Sequence, residues 1–219
     1  MKILRDNGLT IVLMLATVIT VTGMLFTGLE VYNQELVEHR AGEMRLAEYV
    51  VSGHYLSALF ENWESEFLQM SAYVMLTAFL FQRGSAESKD PDGEAEQDQD
   101  PAKEKHDPQA PWPVRAGRLS RAVYSYSLGS ALFLLFVISF VLHLRYSASA
   151  AAAEAVMHGQ AVPGYLDHLS SAQFWFESFQ NWQSEFLSTA LIVVLSIFLR
   201  FRGSPESKPV ASPHSETGA

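Results

Sequence analysis

Two glutamates stand where apolar runs begin. Glu66 and Glu185 each lie three residues beyond a tryptophan, Trp63 and Trp182, and the two sites are 119 residues apart. Carboxylates at the edge of a hydrocarbon core are costly and face protein or water, which makes these two candidates for proton or cation handling. On a helix, Asn62, Glu66, Gln69 and Tyr73 share one face, a polar stripe entering the membrane. The corresponding residues 119 positions on are Asn181, Glu185, Ser188 and Ile192, so the second stripe fades. That asymmetry argues against a pore made of two equivalent halves. The alternative is structural, with Asn and Glu side chains bonding backbone or tryptophan indole groups at the helix entry.

A second constellation is a pair of Glu-x-x-x-His units, Glu35 with His39 and Glu154 with His158, again 119 residues apart. At i and i+4 both side chains project from one helix face, a spacing that chelates metals. Each unit alone supplies two ligands, so four require the units to converge. The alternative is an exposed helix end whose histidine favours the C-terminal dipole. His54 is matched by Gln173 and belongs to no repeated site, and His143 is the one histidine within an apolar run. With no cysteine there is no disulfide, thiolate metal site or iron–sulfur cluster. Phosphate-loop, nucleophile-elbow and zinc-protease motifs are missing too, so neither enzyme activity nor a cofactor is expected.

The elements that carry these residues are duplicated. Between Phe60–Lys89 and Phe179–Lys208, 17 of 30 positions are identical without a gap. This is an internal repeat. Leu9–Leu29 and Ala122–Leu142 hold no charged residue, and each has about the ~20 residues a helix needs to cross a bilayer. Phe67–Gln82 and Phe186–Leu199 are shorter, and reach spanning length when extended back to Trp63 and Trp182, residues suited to an interfacial aromatic belt. The expected fold is therefore an all-α integral membrane protein with four transmembrane helices, arranged as two tandem parallel two-span repeats. Repeat 1 covers 1–89, with spans at about 8–28 and 63–82; repeat 2 covers 118–208, with spans at about 122–143 and 182–201. The first span reads as a retained signal anchor, because no small-x-small cleavage site follows it.

Twelve of the fifteen lysines and arginines lie in the N-terminus, the central linker and the tail, and only Arg40, Arg45 and Arg145 lie in the loops within the repeats. The positive-inside rule then puts both termini and the linker in the cytoplasm. The acidic linker 90–117 is expected to be disordered, since Asp90–Pro111 has no aromatic or branched aliphatic residue, and so is the tail 209–219. The extracytoplasmic loops read as helical: Glu30–His39 continues the first span, Ser147–His158 is rich in alanine, and Gly42 and Gly159 punctuate. A further helical pattern begins near Leu46, breaks at Gly53, and resumes from about Tyr55 into the second span. A net charge of −9 and the lack of a basic stripe exclude nucleic acid as a partner. The lipid bilayer is the expected surrounding, with a second copy or a membrane complex as possible partner. Small residues at Ser125 and Gly129, or Ser127 and Ala131, permit close helix contact.

The doubled Asn-Trp-x-Ser-Glu-Phe-Leu, the Arg-Gly-Ser-x-Glu-Ser-Lys span ends, the opening Leu4-Arg5-Asp6-Asn7-Gly8-Leu9 and the linker Pro111-Trp112-Pro113-Val114-Arg115 resemble a bacterial membrane-protein family classed as a domain of unknown function. The resemblance implies a bacterial plasma-membrane location and brings no assigned activity or site. The expected role is a non-enzymatic structural or complex-associated membrane component. The alternatives are a small proton or cation transporter or channel using Glu66 and Glu185, and an extracytoplasmic metal binder.

Overall fold

A computed structural model describes residues 2–218. Among them the regular structure is helical: α1 (Lys2–Glu38), α2 (Leu46–Tyr49), α3 (Gly53–Thr77), α4 (Trp112–Arg115), α5 (Arg118–Ser125), α6 (Ser127–Met157), α7 (Tyr165–Leu169) and α8 (Ala172–Phe198), with a short 3₁₀ turn at Glu96–Asp98. Three helices, α1, α6 and α8, are long and apolar enough to cross a membrane; α3 is not among them. The reason lies in its sequence. Glu61, Glu64 and Glu66 occupy its middle, and it stops at Thr77 rather than continuing to Gln82, which leaves only eleven residues after Glu66. The third apolar run is also divided, because Tyr126 leaves helical geometry (φ −116°, ψ 11°) and separates α5 from α6.

α1 is kinked at Asn7 (φ −131°, ψ 18°); at 1.5 Å per residue, its 31 residues from Gly8 to Glu38, like the 31 of α6, extend roughly 46 Å. A hydrocarbon core is ~30 Å thick, so each helix continues well beyond it. The hydroxyls in α1 are compatible with lipid. Thr17, Thr20, Thr22 and Thr27 each donate to the carbonyl four residues earlier, Leu13, Ala16, Val18 and Gly23.

Contacts divide the chain into two compact units. One comprises the chain up to Phe60 together with Val141–Phe174; the other comprises Glu61–Phe140 and the chain from Trp175 on.

The first unit has a core of Tyr32, Leu36, Tyr49 and Tyr55, with Leu25, Leu29 and Leu56 packed against it. Tyr49 OH hydrogen-bonds His54 Nδ1 at 3.0 Å, and Tyr32 stacks on His54 at 4.6 Å. The backbone of α1 passes so close to Tyr49 that a Cβ on Gly28 would collide with the Tyr49 hydroxyl. The positions 119 on are Ser147 and His168. There the hydroxyl of Ser147 reaches His168 Nε2 at 2.8 Å.

Both protruding helices end in the same way. Arg40 N donates to Val37 O and Ala41 N to Leu36 O; Gly159 N donates to Val156 O and Gln160 N to Ala155 O. These are Schellman endings, which need a left-handed residue. Arg40 (φ 59°) and Gly159 (φ 65°) supply it, so Arg40 and not Gly42 terminates α1. Asn33 then clamps the following loop, donating to Met44 O at 3.0 Å and accepting from Met44 N at 2.7 Å. The positions 119 further on are Ala152 and Pro163. Loss of the amide side chain there coincides with loss of the N–H it would serve.

In the second unit the stretches after α3 and α8 close alike. Ser85 N donates to Gln82 O and Ser204 N to Phe201 O. Gln82 N donates to Ser88 Oγ and Phe201 N to Ser207 Oγ, each at 2.9 Å. Gly84 (φ 86°) and Gly203 (φ 89°) make the bend. The two lysines that follow part company. Lys89 pairs with Asp98 at 2.7 Å. Lys208 is buried, its three N–H donors shared among the carbonyls of Gly84, Pro213, His214 and Glu216, which surround Nζ at 2.6–3.3 Å. Burial lowers the Lys208 pKa, reinforced by Arg200 and opposed by Glu216.

Candidate functional site

Within the second unit, α3 and α8 meet along a line of polar side chains. Asn181 Nδ2 donates to Glu61 Oε1. One turn further, Trp182 Nε1 donates to Glu64 Oε1 at 3.0 Å, and Glu64 is completely buried. Glu185 follows, close enough to Glu66 for the two charges to repel. Gln69 Nε2 then donates to Thr189 Oγ1. The α8 contributions at 181, 185 and 189 recur every four residues, as one face of a helix must. Two of these bonds set a carboxylate, which only accepts, opposite an N–H that only donates.

Aromatic rings close around the seam. Trp182 makes edge contacts with Phe136, Trp175 and Phe179 at 6.2, 6.2 and 5.5 Å. Trp63 remains 37% exposed, so the two tryptophans taken as interfacial anchors sit in different surroundings. Small residues bring a third helix in. Ser71 Oγ lies 3.4 Å from Gly129 O, and a Cβ on Gly129 would touch Met75. Toward the end of α3 a cavity of about 250 Å³ is lined by Gln69, Tyr73, Thr189, Phe186 and Val193, and by Glu87 from the following loop. Tyr73 OH donates to Glu87 Oε2 at 2.7 Å. Burial pushes the Glu87 carboxyl up, the Tyr73 bond pulls it down, and Glu206 pushes it up again.

Of the residues singled out from sequence, Glu185, Asn181 and Gln69 take part in this seam, and Glu66, which is exposed, lies near enough to Glu185 to repel its charge. Asn62 is exposed; its carbonyl accepts from Ser65 Oγ at 2.8 Å. Ser188, expected to continue the second stripe, bonds instead to Glu185 O, and Thr189 takes the position facing α3. Glu61 and Glu64 were not anticipated. Their one signal was replacement by Gln180 and Gln183 at the matching positions.

The metal-ligand candidates lie in the first unit. His39 and His158 are in ring contact at 4.8 Å. Glu35 exerts its charge on Tyr32 and His54. Burial lowers the His54 pKa, against the opposing pull of Glu35. Tyr49 is pushed up to about 12, first by burial and then by Tyr55 and Tyr32. It therefore keeps its proton at neutral pH, hydrogen-bonded to His54.

A family model for a domain of unknown function, DUF6766, matches residues 1–219, and the chain belongs to that family. No curated protein and no solved structure matches it significantly.

Proposed function

We propose that the chain, as a member of this family, is a non-enzymatic component of a bacterial plasma membrane, serving assembly or integrity of a larger membrane complex. It comprises two parallel repeats of two spans each, with both termini cytoplasmic. One observation carries this reading. The polar groups of the α3–α8 seam bond to one another, Glu61 to Asn181, Glu64 to Trp182 and Gln69 to Thr189, instead of lining an open path. Such pairing also accounts for the fourth span. A helix with three glutamates enters a bilayer when its polar groups find partners on a neighbouring helix. The matching Schellman endings and matching closures of the Arg-Gly-Ser-x-Glu-Ser-Lys segments support the repeat. The test is isolation from native membranes in a mild detergent, together with a deletion strain. Migration in a larger assembly that the deletion disrupts is expected. A lone chain whose deletion alters neither complexes nor the envelope would overturn the reading.

A second reading, a small proton or cation conduit, has its own observation. Glu66 and Glu185 come together on the seam, and a cavity bearing Gln69, Tyr73 and Thr189 follows in the same unit. Its test is flux through wild type against the Glu66→Gln/Glu185→Gln double variant.

A further inference from the structure

The chain turns basic just ahead of α6. No acidic residue occurs between Asp107 and Glu154, while Arg115, Arg118 and Arg121 follow one another at every third position. This local reversal stands out in a chain of net charge −9. Arg118 and Arg121 lie on α5, a strongly amphipathic helix of eight residues. On it Arg118, Arg121 and Ser125 share one side, and Leu119, Ala122 and Val123 share the other. Leu119 is 78% and Val123 66% exposed, so the apolar side is not packed against the protein. Arg115 ends α4, which buried Val114 fixes in place.

α5 is a helix in its own right. The chain leaves helical geometry at Tyr126, and side-chain hydroxyls serve the carbonyls at the break. Ser125 Oγ donates to Arg121 O at 2.9 Å and Ser127 Oγ to Tyr124 O at 2.8 Å. Tyr126 O then accepts from Ser130 N at 3.0 Å, which opens the ladder of α6. The axis of α5 is thereby released from that of α6, the helix apolar enough to cross a membrane. Its place one residue ahead of that span sets α5 at the level of lipid headgroups.

The arginines have no anion of their own. Among the described residues none of the three pairs with a carboxylate, although the acidic linker immediately precedes them. Arg121 is half-buried, and its Nη1 has no hydrogen-bond partner. A guanidinium fork matches a phosphate in geometry as well as charge. A short helix with arginines on one side and exposed aliphatic side chains on the other suits a bilayer surface.

We propose that α5, with Arg115 before it, lies in the membrane surface and binds anionic phospholipid. Leu119 and Val123 reach the acyl boundary, and Arg115, Arg118 and Arg121 engage the headgroup phosphates. This goes beyond the assembly role and does not depend on it, because no seam residue and no second protein is involved.

The test exploits the lack of cysteine in the chain: Leu119→Cys gives a unique attachment point for a bimane fluorophore. The labelled full-length protein is reconstituted into equal parts of phosphatidylcholine and phosphatidylglycerol, with the acyl chains of one or the other brominated. Quenching by both lipids is expected, with an apparent preference for phosphatidylglycerol of about fivefold or more, the effect of one arginine at an anionic surface. Arg115→Gln/Arg118→Gln/Arg121→Gln should abolish that preference. Salt at about 1 M, where the Debye length falls to ~3 Å, should erase most of it without any substitution. A label quenched by neither lipid would overturn the proposal, since the apolar side would then face water or protein, the acidic linker included. Equal quenching by the two lipids, or a preference that survives both the triple variant and high salt, would overturn it as well.

Discussion

Replacing Trp182 with phenylalanine should weaken the fold far more than the same change at Trp112, which is 70% exposed. Trp182→Phe keeps most of the ring packing against Phe136, Trp175 and Phe179 while deleting the indole N–H that reaches Glu64 at 3.0 Å. Glu64 is completely buried, so water cannot replace the lost donor without the seam opening. Hydrogen bonds to charged groups contribute about 1.5–3 kcal/mol in water-soluble proteins. Interhelical bonds in membranes reach only about 1.7 kcal/mol, because the separated helices find other partners. Between these limits the expected loss is about 1–2 kcal/mol, a factor of roughly 5–30 in the folding equilibrium. Trp112→Phe should cost less than about 0.5 kcal/mol, as surface changes generally do. Reversible unfolding in mixed micelles, followed by tryptophan fluorescence and circular dichroism, measures both. Glu64→Leu in each background completes a double-mutant cycle, and a coupling near 1–2 kcal/mol is expected. Equal effects of Trp182→Phe and Trp112→Phe, or zero coupling, would refute the seam as a source of stability.

Other expectations come from backbone geometry and titration. Gly53→Ala should cost about 1–3 kcal/mol, because its Cβ would lie 2.7 Å from Ala150 N and 2.9 Å from Tyr146 O. Gly42→Ala meets open space and should be close to neutral in the same unfolding assay. Arg40→Gly should stabilise by about 1 kcal/mol by relieving a side chain at φ 59°, whereas Gly159→Ala at φ 65° should destabilise by a similar amount. Acid should loosen the first unit. His54 is held below its usual pKa by burial, so its contribution is present above pH 6.5 and is lost as pH falls through the lowered value. Hydrogen exchange around Tyr49 and Tyr55 should accelerate in that window, and in His54→Gln, the residue type found at position 173, that pH dependence should vanish.

Much of the helical layout was legible because it rests on local composition. Glu30–Glu38 continues α1 since nothing in it breaks a helix, and alanine carries α6 through to Met157. Its stopping point was less so. Sequence favours glycine at a left-handed position, which points to Gly42, but the Schellman bonds place that strain on Arg40. The end of α3 was obscured in another way. Ala78–Phe81 is apolar enough to read as helix, and only the bond from Gln82 N to Ser88 Oγ shows the chain already folded back. The site was half legible. Asn181 and Glu185 declare a face, but whether Ser188 or Thr189 continues it depends on helix rotation, which follows from packing. Only its replacement by Gln183 set Glu64 apart in the sequence. Its carboxylate accepts from the indole of Trp182, 118 residues away, and no local pattern encodes that partner.

The assembly reading rests on polar groups occupied with one another, and ion flux in proteoliposomes tests that most directly. Wild type and Glu66→Gln/Glu185→Gln should be compared at matched incorporation, under both a proton and a potassium gradient. The account expects neither protein to exceed the leak of empty liposomes. Flux through wild type that disappears in the double variant would contradict it, and would make the two facing carboxylates the centre of a conduit.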